Sequence, residues 1–168
     1  GYNYKSQGAY FITVCTDKQR PYFGAIENGV MKPNWGGKIV EHEWLRVAEL
    51  RPEIVLDEYI VMPNHFHAIV IITTTPVGVP ASDMPPQTDV PPHVPTGLRL
   101  PSKSLSSLVN AFKGAVTRAV NIERAARGQS PVVVWQGRFY DRIIRSEKEL
   151  LDTRRYIIEN PQNQQRSL

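Results

Sequence analysis

The sequence EIVLDEYIVMPNHFHAIVIIT at residues 53–73 contains two runs rich in β-branched side chains, joined by Met62-Pro63-Asn64. Runs of this composition predict strands at about 53–61 and 65–73. The connection between them is short enough for an antiparallel hairpin. Because side chains alternate faces along a strand, His65 and His67 lie on one face of the hairpin and Phe66 lies on the other.

The segments on either side of this hairpin extend it into a sheet with helices. In chain order they are a strand at 9–16, a hairpin that turns at Asn28-Gly29, a helix from the cap Asn34 to about Leu50, the central hairpin, a helix from Ser102 or Ser104 to about Gly128, an extended segment from 132 to 144, and a helix from Ser146 to Pro161. This order predicts an α+β fold, a ferredoxin-like (RRM-like) antiparallel sheet with packed helices.

The prolines of the chain are concentrated in one stretch. Eight of the fourteen lie between Pro76 and Pro101, where there is almost no charge and no helical or alternating period. The 168 residues have the length of one ordinary domain. We therefore predict a single domain over residues 1–168 with a Pro-rich insertion at about 74–101, either a variable surface segment or a partner-binding one.

The positive charge of the chain lies in its C-terminal part. Residues 1–101 carry 8 Lys and Arg against 10 Asp and Glu, whereas residues 102–168 carry 12 against 6. This asymmetry is typical of a protein that binds a polyanion, with nucleic acid the first candidate. It is equally typical of a solvated face that keeps a protein in solution.

The cysteine content and the hydropathy restrict the compartment. Cys15 is the only cysteine of the sequence, which excludes an internal disulfide and a cysteine-rich zinc site. The longest aliphatic run, Ala68–Ile72, is too short to cross a bilayer. We expect a cytoplasmic protein without a membrane segment, and the sequence identifies no protein partner.

His65 and His67 are candidate metal ligands, because two imidazoles on one face of a strand can share a divalent ion. The alternative is a pair of partly buried, hydrogen-bonded histidines without a metal. Two ligands are too few for a metal site, so a third group is required. Asp57 and Glu58, in the same hairpin, are candidates for orienting an imidazole.

The C-terminal helix offers the third group. At 100° per residue its apolar positions share one arc, which predicts a packing face made of Leu150, Leu151, Arg154, Ile157 and Ile158. Tyr156 and Asn160 lie outside this arc and are neighbours on the helix surface. The amide oxygen of Asn160 is a candidate ligand, with the phenol of Tyr156 one turn away. The alternative is a surface tyrosine and a polar residue at the helix end.

Four motifs resemble the REP-associated tyrosine transposases, a branch of the single-tyrosine His-hydrophobic-His (HUH) transposases. The motifs are Tyr10-Phe11-Ile12-Thr13-Val14-Cys15-Thr16, Val61-Met62-Pro63-Asn64-His65-Phe66-His67-Ala68-Ile69-Val70, Val134-Trp135-Gln136-Gly137-Arg138-Phe139-Tyr140-Asp141-Arg142-Ile143-Ile144-Arg145 and Tyr156-Ile157-Ile158-Glu159-Asn160-Pro161. The resemblance covers nearly the whole chain except residues 74–101.

This resemblance implies the HUH endonuclease fold and a role for each candidate. His65, His67 and Asn160 match the metal ligands, and Tyr156 matches the nucleophile. The implied cofactor is Mg²⁺ or Mn²⁺. The implied activity is cleavage and rejoining of single-stranded DNA at palindromic hairpin elements, through a 5′-phosphotyrosine intermediate.

Basic and aromatic residues of the C-terminal part are candidates for contacting DNA, by neutralising phosphates or stacking on bases. The principal candidates are Lys113, Arg118, Trp135, Gln136, Arg138, Arg142 and Arg145. Two other functions remain open. A ferredoxin-like sheet with exposed aromatics also occurs in binding modules that hold single strands without chemistry, and replication or conjugation initiator nucleases share the chemistry implied here.

Overall fold

The elements of the protein follow the order predicted from the sequence. The computed structural model describes residues 8–73 and 104–166. The first stretch contains strand β1 (Gly8–Cys15), the hairpin β2 (Gly24–Glu27) and β3 (Val30–Pro33), helix α1 (Trp35–Leu50), and the central hairpin β4 (Ile54–Val61) and β5 (His65–Ile72). The second contains α2 (Leu105–Ala126), β6 (Tyr140–Ile144) and α3 (Glu147–Arg166). The Pro-rich insertion at 74–101 lies outside the described residues.

The main sheet has the strand order β4-β5-β1-β6, and every neighbouring pair is antiparallel. This is the order of a β-α-β-β-α-β ferredoxin-like unit, with the β2–β3 hairpin between β1 and α1 and with α3 added at the end. The predicted fold class is therefore confirmed. The extended segment at 132–144 is shorter than predicted, since only β6 is a strand and Trp135 forms a single bridge with Thr16.

Local signals explain the turns and helix ends. Asn28 and Gly29 both have positive φ, 53° and 72°, as a two-residue hairpin turn requires. The Asn34 side chain accepts the Gly37 N–H at 3.0 Å and begins α1. Ser104, rather than Ser102, begins α2 by accepting the Ser107 N–H at 3.1 Å. No helix in the described part of the chain is long and apolar enough to cross a membrane.

The two faces of the sheet carry different helices. The larger core lies on the face of α1 and α2, where Phe66 of β5 contacts the rings of Trp44 and Phe112. The smaller core lies on the opposite face under α3, where Ile69 of β5 clusters with Ile157. Alternation along β5 therefore directs Phe66 into the larger core and leaves the face of His67 to α3.

The α3 helix packs through a different face from the predicted one, and it runs past Pro161 to Arg166. Its buried positions are Leu150, Thr153, Ile157, Asn160 and Pro161, whereas Leu151 and Ile158 are 51% and 60% exposed. The two buried polar residues Thr153 and Asn160 have partners, because the Thr153 hydroxyl donates to the Glu149 carbonyl at 2.7 Å and Asn160 bonds to His65. The apolar pattern alone could not show these bonds.

Candidate active site

The two histidines lie together on the face of the sheet that α3 covers. His67 pairs across the sheet with Thr13, and His65 pairs with Cys15. The centroids of the two imidazole rings are 4.6 Å apart. His67 is 5% exposed, and His65 is partly buried.

Each imidazole is oriented through its Nδ1 atom. Nδ1 of His67 lies 2.8 Å from Oγ1 of Thr13, and Nδ1 of His65 lies 2.8 Å from Oδ1 of Asn64. The Asn64 amide is itself oriented, because its Nδ2 donates to Oε1 of Gln19 at 3.1 Å. Because an amide oxygen accepts, this contact fits the tautomer with the proton on Nδ1 and a lone pair on Nε2. This is the arrangement in which a histidine binds a metal through Nε2.

Burial favours the neutral form of both histidines. It lowers the pKa of His67 to about 3, with a further contribution from the neighbouring His65. Burial also lowers the pKa of His65, and the hydrogen bond with Asn160 opposes part of this decrease. A metal ligand must be an unprotonated imidazole, so the environment already favours the ligand form at neutral pH.

Helix α3 brings Asn160 and Tyr156 to the histidines. Asn160 is 6% exposed and its side chain bonds to His65, so it lies on the buried face of the helix and not outside it as predicted. Tyr156 is 47% exposed, in agreement with the expectation that it is not a core aromatic. Its ring centroid is 5.5 Å from that of His67, in an edge arrangement. The four residues proposed from the sequence are thus contiguous.

The donor set at this position suits a metal that accepts oxygen ligands. Among the described residues, no group of three or more His, Cys, Asp and Glu side chains is placed to hold a metal. A metal at this position would take the two imidazoles and the Asn160 amide oxygen as its protein ligands. Two imidazoles alone favour zinc, whereas an amide oxygen and further open positions suit Mg²⁺ or Mn²⁺. The residues present fit the expected ion.

Asp57 does not orient an imidazole, which corrects one expectation from the sequence. It lies at a β-bulge between Leu56 and Tyr59, where Nε of Arg154 donates to its Oδ1 at 2.8 Å and Nη2 donates to Oδ2. Burial raises the pKa of Asp57, but the bonds from Arg154 and from the Glu58 N–H outweigh it and hold the pKa below its usual value. This ion pair anchors α3 to the sheet two residues before Tyr156. Thr13 and Asn64, not Asp57 or Glu58, contact the imidazoles.

Lys113 and Gln136, two of the DNA-contact candidates, meet at the end of β1. Nζ of Lys113 donates to the Gln136 carbonyl at 2.8 Å and to the Gly137 carbonyl at 3.1 Å. Burial lowers the pKa of Lys113. The Gln136 N–H donates to the Cys15 carbonyl at 2.9 Å, and Cys15 is the cross-strand partner of His65. These bonds hold the 136–137 loop at the end of the sheet that carries His65.

Trp135 is a core residue, which corrects its assignment as a base-stacking residue. It is 5% exposed, and its ring lies 5.0 Å from Phe23 and 6.0 Å from Phe112, measured between centroids. Both neighbours belong to the larger core, so no open ring face is left for a base.

The remaining basic candidates are exposed. Arg118 lies on α2, across the sheet from the histidines, whereas Arg138 and Arg145 flank β6. Arg142 projects from β6 toward the site, with its guanidinium carbon 5.8 Å from the ring centroid of Phe11. Its cross-strand partner is Phe11.

Phe11, Thr13 and Asn64 are site residues that the sequence did not identify individually. The Phe11 ring stacks on His67 at 5.2 Å and meets the Tyr156 ring at 6.0 Å. Alternation along β1 places Phe11 and Thr13 on one face of the sheet, and this pattern can be read from the sequence. The register that sets Thr13 opposite His67 requires the folded sheet.

Comparisons with known proteins support the family and the fold. A protein of Haemophilus influenzae, whose function is uncharacterised, is 35% identical over 161 residues, covering 95% of this chain and 83% of that protein. A solved structure of a REP-associated tyrosine transposase bound to a REP hairpin matches with a TM-score of 0.57 and 20% identity, over 94% of this chain and 68% of that one.

A more distant match is a candidate transposase of Deinococcus radiodurans, with a TM-score of 0.49 and 17% identity over 96% of this chain and 95% of that one. No profile of a known protein family matches the sequence. The chain belongs to one family with the Haemophilus influenzae protein, and its fold is that of the REP-associated tyrosine transposases.

Proposed function

We propose that this protein is a metal-dependent transposase that cleaves and rejoins single-stranded DNA, with Tyr156 as the nucleophile. In this proposal His65, His67 and Asn160 hold Mg²⁺ or Mn²⁺. The observation that carries the proposal is the half-exposed Tyr156 ring, edge-on to the buried His67, whose ring adjoins that of His65. Asn160, from the same helix, contacts the other histidine.

The proposed reaction exchanges one phosphodiester bond for another. The Tyr156 hydroxyl oxygen forms a bond to the phosphorus, and the bond from phosphorus to the 3′ oxygen breaks. The phenol proton is transferred to the departing 3′ oxygen, which leaves a 5′-phosphotyrosine linkage and a free 3′-OH. A second 3′-OH can reverse the exchange, because the number of diester bonds does not change.

The chain's own residues prepare this exchange. A phenol with an ordinary pKa of about 10 is a weak nucleophile at neutral pH. A cation held by His65, His67 and Asn160 would supply positive charge that favours the phenolate and offsets charge on the phosphate. Phe11 supports the Tyr156 ring, Thr13 and Asn64 hold the imidazoles, and the Asp57–Arg154 pair fixes the helix that carries the nucleophile.

We propose hairpin DNA with a single-stranded flank as the substrate. A structural neighbour of this fold is a REP-associated tyrosine transposase bound to a REP hairpin. The basic C-terminal part provides cations for a polyanion, among them Arg138, Arg142 and Arg145. A non-catalytic binding module with the same fold is the alternative, and it predicts that the Tyr156 hydroxyl is dispensable.

The proposal is tested by cleavage of a labelled DNA hairpin with single-stranded flanks, in Mn²⁺ or Mg²⁺. Wild-type protein is expected to cut the strand, and Tyr156→Phe is expected to lose cleavage while still binding the hairpin. Tyr59→Phe is the matched control, since Tyr59 packs against the larger core, on the other face of the sheet, and its hydroxyl donates to Glu41. His65→Ala and His67→Ala are each expected to abolish metal-dependent cleavage. Full cleavage by Tyr156→Phe, or none by folded wild-type protein with either metal, would contradict the proposal.

A further inference from the structure

A groove of about 500 Å³ lies between β6 and the first turns of α3, and it opens beside Tyr156. Its walls include Arg142 from β6, and Glu149 and Thr153 from α3. The volume is in the range of pockets that enclose small ligands. The metal ligands do not line it, so it extends away from the candidate metal centre.

Arg142 and Tyr156, which both line this groove, meet the ring of Phe11. The guanidinium carbon of Arg142 is 5.8 Å from the centroid of Phe11, and the Tyr156 ring is 6.0 Å from the same centroid. The Phe11 ring also stacks on His67 at 5.2 Å. The Phe11 ring therefore adjoins His67, the phenol of Tyr156 and the guanidinium of Arg142.

Helix α3 holds the guanidinium in place without using all of its donors. Nη2 of Arg142 donates to Oγ1 of Thr153 at 3.2 Å, and Nη1 lies 3.5 Å from Oε1 of Glu149. The Arg142 side chain is 58% exposed. A guanidinium has five N–H donors, so donors remain for a ligand in the groove. Phosphate oxygens accept from this fork in pairs, in a geometry that an ammonium does not offer.

The other charges of the groove are already paired. Nζ of Lys148 lies 3.5 Å from Oδ2 of Asp152, and both side chains are largely exposed. Glu149 is engaged by Arg142 and by the Arg145 N–H, which it accepts at 2.9 Å. Arg142 is thus the groove cation that shares a ring contact with the nucleophile, and a phosphate is the group that can replace Glu149 on it.

We propose that this groove binds the nucleic-acid strand directly beside the reacting phosphate, and that Arg142 contacts the neighbouring phosphate. This inference rests on the proposed function, because it needs the reacting phosphate at Tyr156. It adds the path of the strand on one side of the nucleophile, along the α3 face toward Ser146. Arg142 acts as a binding residue that sets which phosphate lies at Tyr156.

The test combines single neutral methylphosphonates in the substrate with variants of Arg142. Each phosphate flanking the cleavage point is replaced in turn, and kcat/KM is measured for wild type and for Arg142→Gln. In wild type, one replacement adjacent to the cleavage point is expected to lower kcat/KM on the order of tenfold. The Arg142→Gln variant is expected to show the same loss of kcat/KM with the unmodified substrate. The methylphosphonate that slows wild type is expected to lower kcat/KM of this variant no further.

Two comparisons keep the result interpretable. Arg46→Gln removes an exposed arginine of α1, on the opposite face of the sheet, and is expected to behave as wild type. Arg142→Lys retains the charge and loses the fork, so an intermediate rate is expected. Thermal melts followed by circular dichroism establish that each variant is folded.

Binding separates this inference from the proposed function. The same oligonucleotides are bound to Tyr156→Phe and to Tyr156→Phe combined with Arg142→Gln, neither of which is expected to cleave them. The four affinities of each cycle give the coupling between Arg142 and one phosphate of the substrate. Coupling in binding with no cleavage by wild type would overturn the proposed function alone. In the other outcome wild type cleaves the DNA, but the losses in kcat/KM from the methylphosphonate and from Arg142→Gln multiply at every position. That result would overturn the groove assignment and leave the proposed function standing.

Discussion

The ion pair between Asp57 and Arg154 gives a quantitative prediction about how α3 is held on the sheet. Asp57→Asn keeps the shape of the side chain and removes its charge. The two side chains are 11% and 38% exposed, between a buried pair and a surface pair. Hydrogen bonds to charged groups contribute roughly 1.5–3 kcal/mol, and exposed pairs contribute about 0–1 kcal/mol. We therefore expect Asp57→Asn to lower the free energy of unfolding at pH 7 by about 1–2 kcal/mol.

The pH dependence of this difference has a definite sign. The pKa of Asp57 lies below its usual value in the folded protein, so the unfolded chain binds the proton first as pH falls. The pair therefore stabilises the fold at pH values above about 4. Its contribution is lost as pH falls through the folded pKa. The difference between wild type and Asp57→Asn is expected to shrink below about pH 4.

Urea unfolding followed by far-UV circular dichroism, at pH 7 and at successively lower pH, measures both quantities. Glu123→Gln is the control, because Glu123 pairs with Arg127 on α2 with both side chains over 40% exposed. Its effect is expected to be only about 0.3–0.5 kcal/mol. An Asp57→Asn variant as stable as wild type at pH 7, or a difference that widens in acid, would refute the role assigned to the pair.

Three further predictions concern single side chains. Thr13→Val removes the hydroxyl partner of His67 Nδ1 and is expected to weaken Mn²⁺ binding, measured by calorimetry, by about 10–100-fold, whereas Thr13→Ser retains the hydroxyl and the affinity. Equal affinities for Thr13→Val and wild type would show that Thr13 does not orient His67. Trp135→Ala is expected to cost about 3–5 kcal/mol in urea unfolding, while Trp135→Phe should leave hairpin affinity unchanged; weaker binding by a stable Trp135→Phe protein would restore a stacking role. Glu149→Gln frees Arg142 and is expected to tighten oligonucleotide binding about threefold by fluorescence anisotropy; weaker binding would argue against the exchange of partners.

The sequence predicted what depends on local pattern and on short spacing. The alternation at His65-Phe66-His67 determined which residues share a face, and the four-residue spacing from Tyr156 to Asn160 placed them side by side. Asn34, Ser104 and the Asn28-Gly29 turn were identifiable because each satisfies backbone groups or adopts positive φ locally. Such features need no knowledge of the distant parts of the chain.

Several features that the sequence missed or misassigned depend on contacts between distant segments. Thr13 meets His67 only through the β1–β5 register, and Asp57 meets Arg154 only because α3 packs on the sheet face that Val55 also occupies. The buried face of α3 includes Thr153 and Asn160, whose polar groups are satisfied by partners that an apolar pattern does not reveal. Trp135 is aromatic and lies in a motif rich in cations, yet packing in the core determines its role.

The central claim is that Tyr156 becomes covalently linked to DNA, and the mass of one peptide tests it most directly. Wild-type protein is incubated with the hairpin substrate and Mn²⁺, denatured, and digested with nuclease and trypsin. Cleavage after Arg155 and Arg166 releases the peptide that carries Tyr156, whereas Tyr140 falls in the separate peptide between Arg138 and Arg142. The account predicts a nucleotide phosphate on the Tyr156 peptide, absent from Tyr156→Phe. A modification on the Tyr140 peptide, or none on any peptide while the DNA is cut, would contradict it.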